Sequence, residues 1–283
     1  MIGHIGVIQR NAIGSWLQLK PKPQVLLFGN EEGVAGVAAE FGIEHVPDIS
    51  RNEFGTPLLD DVFTKFERRA AHAQLCYSNC DIILFQDVSD AVAAVQKRFP
   101  EFLFVAECMN MDKRDAIDFS HPAWERALSA EMEERGTRRA EASDFFFFMR
   151  GMYPQYLPLA LGRPYFDNWI IYDARRRHVP VVNGSGSVSA IHQNHFYSAV
   201  PGEKTGQHSG IEAKINLETI GSRDCVYWLT DCTHRYVRGH VRRSVTGTML
   251  VRERAMAFQR KLRKVFFFCS CPLKSVLRKL GML

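Results

Sequence analysis

The chain has no apolar run approaching the roughly 18 residues that cross a bilayer. Residues 1–16 also lack the charged start and continuous apolar stretch of an export signal. None of the seven cysteines forms a C-x-x-C pair, which argues against a cysteine zinc site, and they read as reduced thiols of a cytosolic protein. Internal repeats and low-complexity tracts are missing, so solenoids and disordered arrays are set aside. No glycine-rich, basic triphosphate-binding segment stands near the first apolar strand, as a nucleotidyltransferase would need. The charge excess is small, +5 over 283 residues, and lies in the stretch from Arg235 to Lys279. What is present, 46% apolar and 24% charged residue types, is the composition of a globular protein of one large or two small domains.

Apolar residues at helical spacing predict a helix over residues 5–19, stopped by Pro21 and Pro23. The run QVLLFG at 24–29 then predicts a buried strand, followed by a helix from about Gly33 to Phe41 and a short strand over 45–47. Residues 57–76 carry apolar positions at three- and four-residue steps and predict one long helix. DIILF at 81–85 and FLFV at 102–105 predict strands separated by a helix over 88–99. The charged stretch 111–142 predicts an excursion near the site mouth or a surface helix. DFFFFM at 144–149 returns to the core, ahead of a helix over 169–176 and strands over 179–182 and 188–192. Beyond Gly221 the pattern predicts arginine-rich helices. The alternation implies an α/β fold, with a mostly parallel sheet covered by helices on both faces.

Three groups of residues could carry chemistry. In YSNCD, Asn79 and Asp81 stand one residue apart before a buried strand, where short oxygen-bearing side chains can share a divalent cation; a polar turn is the plainer reading. In HQNH, His192 and His195 follow a strand, where imidazoles can serve as metal ligands or merely hydrogen-bond their neighbours. In GRPYFDNW, Asp167 can cap a helix or act as a catalytic carboxylate, with Arg163, Asn168 and Trp169 as sugar-contacting company. Weaker candidates are Asp87, as metal support or helix cap, and the Gly29–Asn30 turn, whose amides could meet a nucleotide or simply join strand to helix.

The order of these groups resembles that of metal-dependent GT-A glycosyltransferases. YSNCDIILFQDVSDAV is similar to their Y-x-D-x-D segment, with Asn79 in the first acidic position, where it offers a neutral oxygen in place of a charge. The block GRPYFDNWIIYDARRRHVPVVNGSGSVSAIHQNH also resembles proteins of the nucleotide-diphospho-sugar transferase superfamily, and the likeness covers about residues 5–200. It implies a GT-A, Rossmann-like domain over 1–220, opening in the helix that would follow the family's first strand, and a basic helical extension over 221–283. The implied reaction moves a sugar from a nucleotide-sugar donor to a hydroxyl on a glycan or lipid-linked acceptor. Asp81, His192 and His195 would hold Mn2+ or Mg2+; Asn79, Asp81, Gly29 and Asn30 would meet the donor; Asp167 would be catalytic; Arg163, Asn168 and Trp169 would meet the acceptor. The alternative is a catalytically degenerate relative that binds a nucleotide or glycan without turnover.

The tail from Arg252 to Leu283 mixes basic and apolar residues, which suits contact with the inner face of an anionic membrane or packing on the catalytic domain. No nucleic-acid partner is expected.

Overall fold

The computed structural model describes residues 1, 3–138, 143–195, 210–246, 250–252 and 254. In chain order these form α1 (Gly3–Gln18), β1 (Leu26–Phe28), α2 (Val34–Phe41), β2 (Glu44–Val46), α3 (Leu59–Arg69), β3 (Gln74–Ser78) and β4 (Ile82–Leu84). Next come α4 (Gln86–Gln96), β5 (Leu103–Val105), β6 (Met109–Met111), α5 (Trp124–Arg135), β7 (Thr137–Arg138) and β8 (Phe145–Met149). The last elements are α6 (Phe166–Arg176), β9 (Val181–Asn183), β10 (Ala190–Gln193), α7 (Ile211–Ile220), two single 3-10 turns, β11 (His234–Val237) and β12 (His240–Arg243). Met1–Arg243 make one compact unit and Ser244–Leu283 a separate one. Apart from Arg252 and Arg254, the basic tail lies outside the described residues. No helix among the described residues is long and apolar enough to cross a membrane.

The fold is mixed α/β, and its strand directions correct the expectation of a mostly parallel sheet. One sheet of six strands runs β12-β11-β9-β5-β8-β3, and another of four runs β4-β10-β6-β7. In the first, β5, β9 and β11 are parallel neighbours, while β8 pairs antiparallel with both β5 and β3, and β12 pairs antiparallel with β11. In the second, β10 is antiparallel to β4 and parallel to β6. β1 and β2 form a separate parallel pair. Apolar runs reveal that a strand is buried but not which way its partner points, since both kinds of pairing bury the same side chains.

The phenylalanine run supplies the centre of the core because both faces of β8 are covered. Phe146 and Phe148 meet Tyr77, Phe63 and Tyr153, while Phe145 and Phe147 join Phe104, Val88 and Val92 in one apolar cluster. That demand explains why the expected helix over 57–76 stops at Arg69. Leu75 leaves the helical phase to enter β3, where it lies opposite Phe148. The Arg-rich helices expected beyond Gly221 give way, over 234–243, to the β11–β12 hairpin at the edge of the main sheet. The charged stretch does contain a surface helix, α5, with Leu128 as its buried residue, and also the short strand β7, while β6 ends at its first residue.

Helix α1 covers the open edge of β4. Trp16 Nε1 donates to the Ile82 carbonyl at 2.9 Å, and the Leu84 amide donates to Ser15 Oγ at 3.1 Å. An edge strand otherwise leaves such groups to water or to another chain. At Gly14 the helix comes so close to Phe119 that a Cβ would sit 2.2 Å from its ring.

Candidate metal centre

Asp81 immediately precedes β4, and His192 lies near the end of β10. Because these strands are antiparallel, with Ile82 opposite His192, the entrance of one meets the exit of the other. Asp81 Oδ2 stands 2.9 Å from His195 Nε2 and 3.4 Å from His192 Nε2. One ligand atom from each of the three side chains lies within 4.8 Å of the others, so together they can hold a metal ion. Asp81 Oδ1 is buried without a hydrogen-bond partner, which leaves one carboxylate oxygen to spare for a cation. Burial pushes the Asp81 carboxyl up, but the hydrogen bonds and charges of His192 and His195 outweigh it and hold the group well below the usual carboxylate range. The site therefore presents an anion flanked by two imidazoles.

Gln193, between the two histidines, fixes this arrangement from behind. Its backbone amide and its Nε2 both donate to the Asp81 carbonyl at 3.1 Å, and Nε2 also donates to the Ile8 carbonyl at 2.9 Å. Its Oε1 accepts from Asn11 Nδ2 at 3.0 Å. Asn11 further donates to the Asp115 carbonyl and accepts from the Ile117 amide. Gln193 and Asn11 are buried, and satisfied buried amides of this kind hold one geometry because every alternative strands a polar atom.

Asn79, the expected partner of Asp81, is engaged elsewhere. Its Oδ1 accepts from the Tyr77 hydroxyl at 2.8 Å and its Nδ2 donates to Asp144 Oδ1 at 3.2 Å. Asp144 is a buried residue that sequence reasoning absorbed into the core strand. It comes to the site because β8 runs antiparallel to β3, with Ser78 opposite Phe145. Burial pushes the Tyr77 hydroxyl far up, and the nearby acidic groups of Cys80, Asp144, Asp81 and Asp167 add to the effect. Asp167, in the first turn of α6, thus shares the surroundings of Tyr77 with Asp81 and Asp144. The Cys80 thiol is pushed up to about 12 by burial, with Asp81 and Glu31 contributing, so it stays protonated.

The remaining candidates have structural employment. At the β1 turn, His45 Nε2 donates to the Gly29 carbonyl, and Arg51 bonds both Asn30 Oδ1 and Glu31 Oε1. Asp87 accepts from the Ser189 amide, at the start of β10 and so at the end away from His192. Asn168 is buried and donates to the Tyr227 carbonyl at 2.8 Å, while Trp169 is buried with its ring near Tyr153. Arg163 Nε pairs with Glu212 Oε2 at 2.5 Å.

That last pair carries a pH prediction. Burial pushes the Glu212 carboxyl up, yet hydrogen bonds from Thr56, Arg163 and Asn52 and the Arg163 charge bring it below its ordinary value of 4.5. A carboxyl depressed by folding stabilises the native state above its unfolded pKa, and the contribution is lost as pH falls. In urea unfolding, Glu212→Gln should be less stable than the wild type at pH 7, and the gap should shrink as pH falls below the ordinary carboxyl value of 4.5. A pH-independent gap would show that the charge has no part in it.

No protein-family model matches the chain, and no curated protein matches it.

Proposed function

We propose that the chain is a metal-assisted glycosyltransferase of the GT-A kind, which moves a sugar from a nucleoside diphosphate sugar to a hydroxyl of a glycan or lipid-linked acceptor. The observation that carries this reading is the meeting of Asp81, His192 and His195, from segments more than a hundred residues apart in sequence, with one ligand atom of each within 4.8 Å of the others. Two imidazoles and one carboxylate favour Mn2+ over Mg2+, which prefers oxygen ligands and keeps its waters. A divalent cation at this place supplies the positive charge that a departing diphosphate needs.

The chain's own residues divide the rest of the work. Asp81 and the two imidazoles hold the cation, while Gln193 and Asn11 keep the Asp81 backbone from shifting. Asp167 orients the acceptor hydroxyl, or takes its proton if the reaction inverts the sugar carbon. Asn79 and Asp144, joined to one another, border the donor side. The non-catalytic alternative draws support from Asn79 itself, whose amide is bonded to Tyr77 and Asp144.

Calorimetry with a panel of nucleoside diphosphate sugars, with Mn2+, with Mg2+ and with neither, tests the proposal. Donor binding that depends on Mn2+, followed by slow release of nucleoside diphosphate, is the expected outcome. Binding without consumption of donor would favour the non-catalytic alternative. If no donor binds under any condition, the transferase reading is wrong.

A further inference from the structure

We propose that Asn110 is a further ligand of the same cation, through its Oδ1; this rests on the cation reading of Asp81, His192 and His195. β10 lies between β4 and β6, and Asn110 of β6 is the direct register partner of His192. Neighbouring strands lie about 4.8 Å apart, and directly paired residues present their side chains on one face of the sheet. Asn110 therefore stands beside His192 on the same face, with Ile82 on the other side of that histidine.

Asn110 Oδ1 is buried and has no hydrogen-bond partner, the same condition as Asp81 Oδ1. Buried amide oxygens are nearly always bonded, and such an exception calls for a reason. Two spare oxygens flanking two imidazoles have a common one if a cation takes them all. Carboxamide oxygens are ordinary ligands of hard divalent cations. Asn79 cannot easily play this part, since its oxygen already accepts from Tyr77. The neutral oxygen expected from Asn79 thus comes from the neighbouring sheet position. β6 gives little strand signal in the sequence because it is three residues long, has a polar centre and runs straight into the charged stretch from Asp112.

Mn2+ binding to the full chain, followed by calorimetry and by the electron paramagnetic resonance signal of free Mn2+, tests this without reference to activity. Asn110→Ala should weaken binding about tenfold or more, since even outer-shell partners of a metal site are worth about 10–100-fold. Asn110→Asp should instead tighten it about tenfold, because affinity rises with the charge of the ligand set. A purely packing role predicts no gain from the aspartate, so failure of Asn110→Asp to tighten binding, or wild-type affinity in both variants, overturns the proposal. Asp81→Asn, titrated alongside, separates the two levels. Loss of Mn2+ binding there with unchanged Asn110 variants removes Asn110 alone, whereas a wild-type chain that takes up no Mn2+ removes both readings. Circular dichroism confirms that each variant is folded, and Asn110→Ser replaces the alanine variant if that one is not.

Discussion

Asp81→Ala is expected to abolish measurable Mn2+ binding and to lower donor consumption by about 10²–10³-fold, the usual scale for removing a group that stabilises developing charge. Asp81 supplies the only carboxylate of the three-residue cluster, and its two oxygens differ in condition. Oδ2 already meets both imidazoles, while Oδ1 is buried and spare. Alanine removes both at once and leaves two rings without the anion that draws them together. The backbone should hold, because Gln193 grips the carbonyl of residue 81 and not its side chain. The decisive comparison is Mn2+ titration beside circular dichroism and donor turnover. A folded variant with wild-type turnover would remove the metal from the reaction.

Phe63→Ala should bring the largest loss of stability, about 3–5 kcal/mol, the range for truncating a fully buried aromatic side chain. Phe63 is 0% exposed, and its ring lies 5.7 Å from Phe148 in a stacked pair, 5.3 Å from Tyr77 and 5.2 Å from Tyr156. Against a total stability of about 5–15 kcal/mol, such a loss is a large fraction. The shift in the urea unfolding midpoint measures it. Because Tyr77 leans on Phe63 and holds Asn79, the same variant should also loosen the polar border of the metal centre. A midpoint within about 1 kcal/mol of wild type would mean that the surrounding rings repack, as cores sometimes do.

Much of the chain's local structure is legible from residue order. Pro21 and Pro23 stop α1, the LLF run is a strand, and the phenylalanine run is core. The candidate metal group is legible too, since Asp81 opens an apolar run and the two histidines follow another. What residue order does not disclose is pairing direction. The meeting of Asp81 with His192 depends on β4 and β10 running oppositely, and the approach of Asp144 to Asn79 depends on β3 and β8 doing the same. Nor does it disclose which polar residues the fold consumes. Arg163, Asn168 and Trp169 look like a sugar-binding group in sequence, yet each is engaged with another part of the fold: Glu212, the Tyr227 carbonyl and the Tyr153 ring. Asn11 is the reverse case: a polar position on a helix marked by apolar spacing, it is buried and bonded to Gln193, the Asp115 carbonyl and the Ile117 amide.

The side chains of Ser15 and Trp16 stand in for a strand that β4 does not have. A shortened chain that begins after Gln18 would leave that ribbon with bare amides and carbonyls, ready to zip onto an identical ribbon of a second copy. The opening helix is thus a sheath for that edge as much as a scaffold for the candidate metal centre.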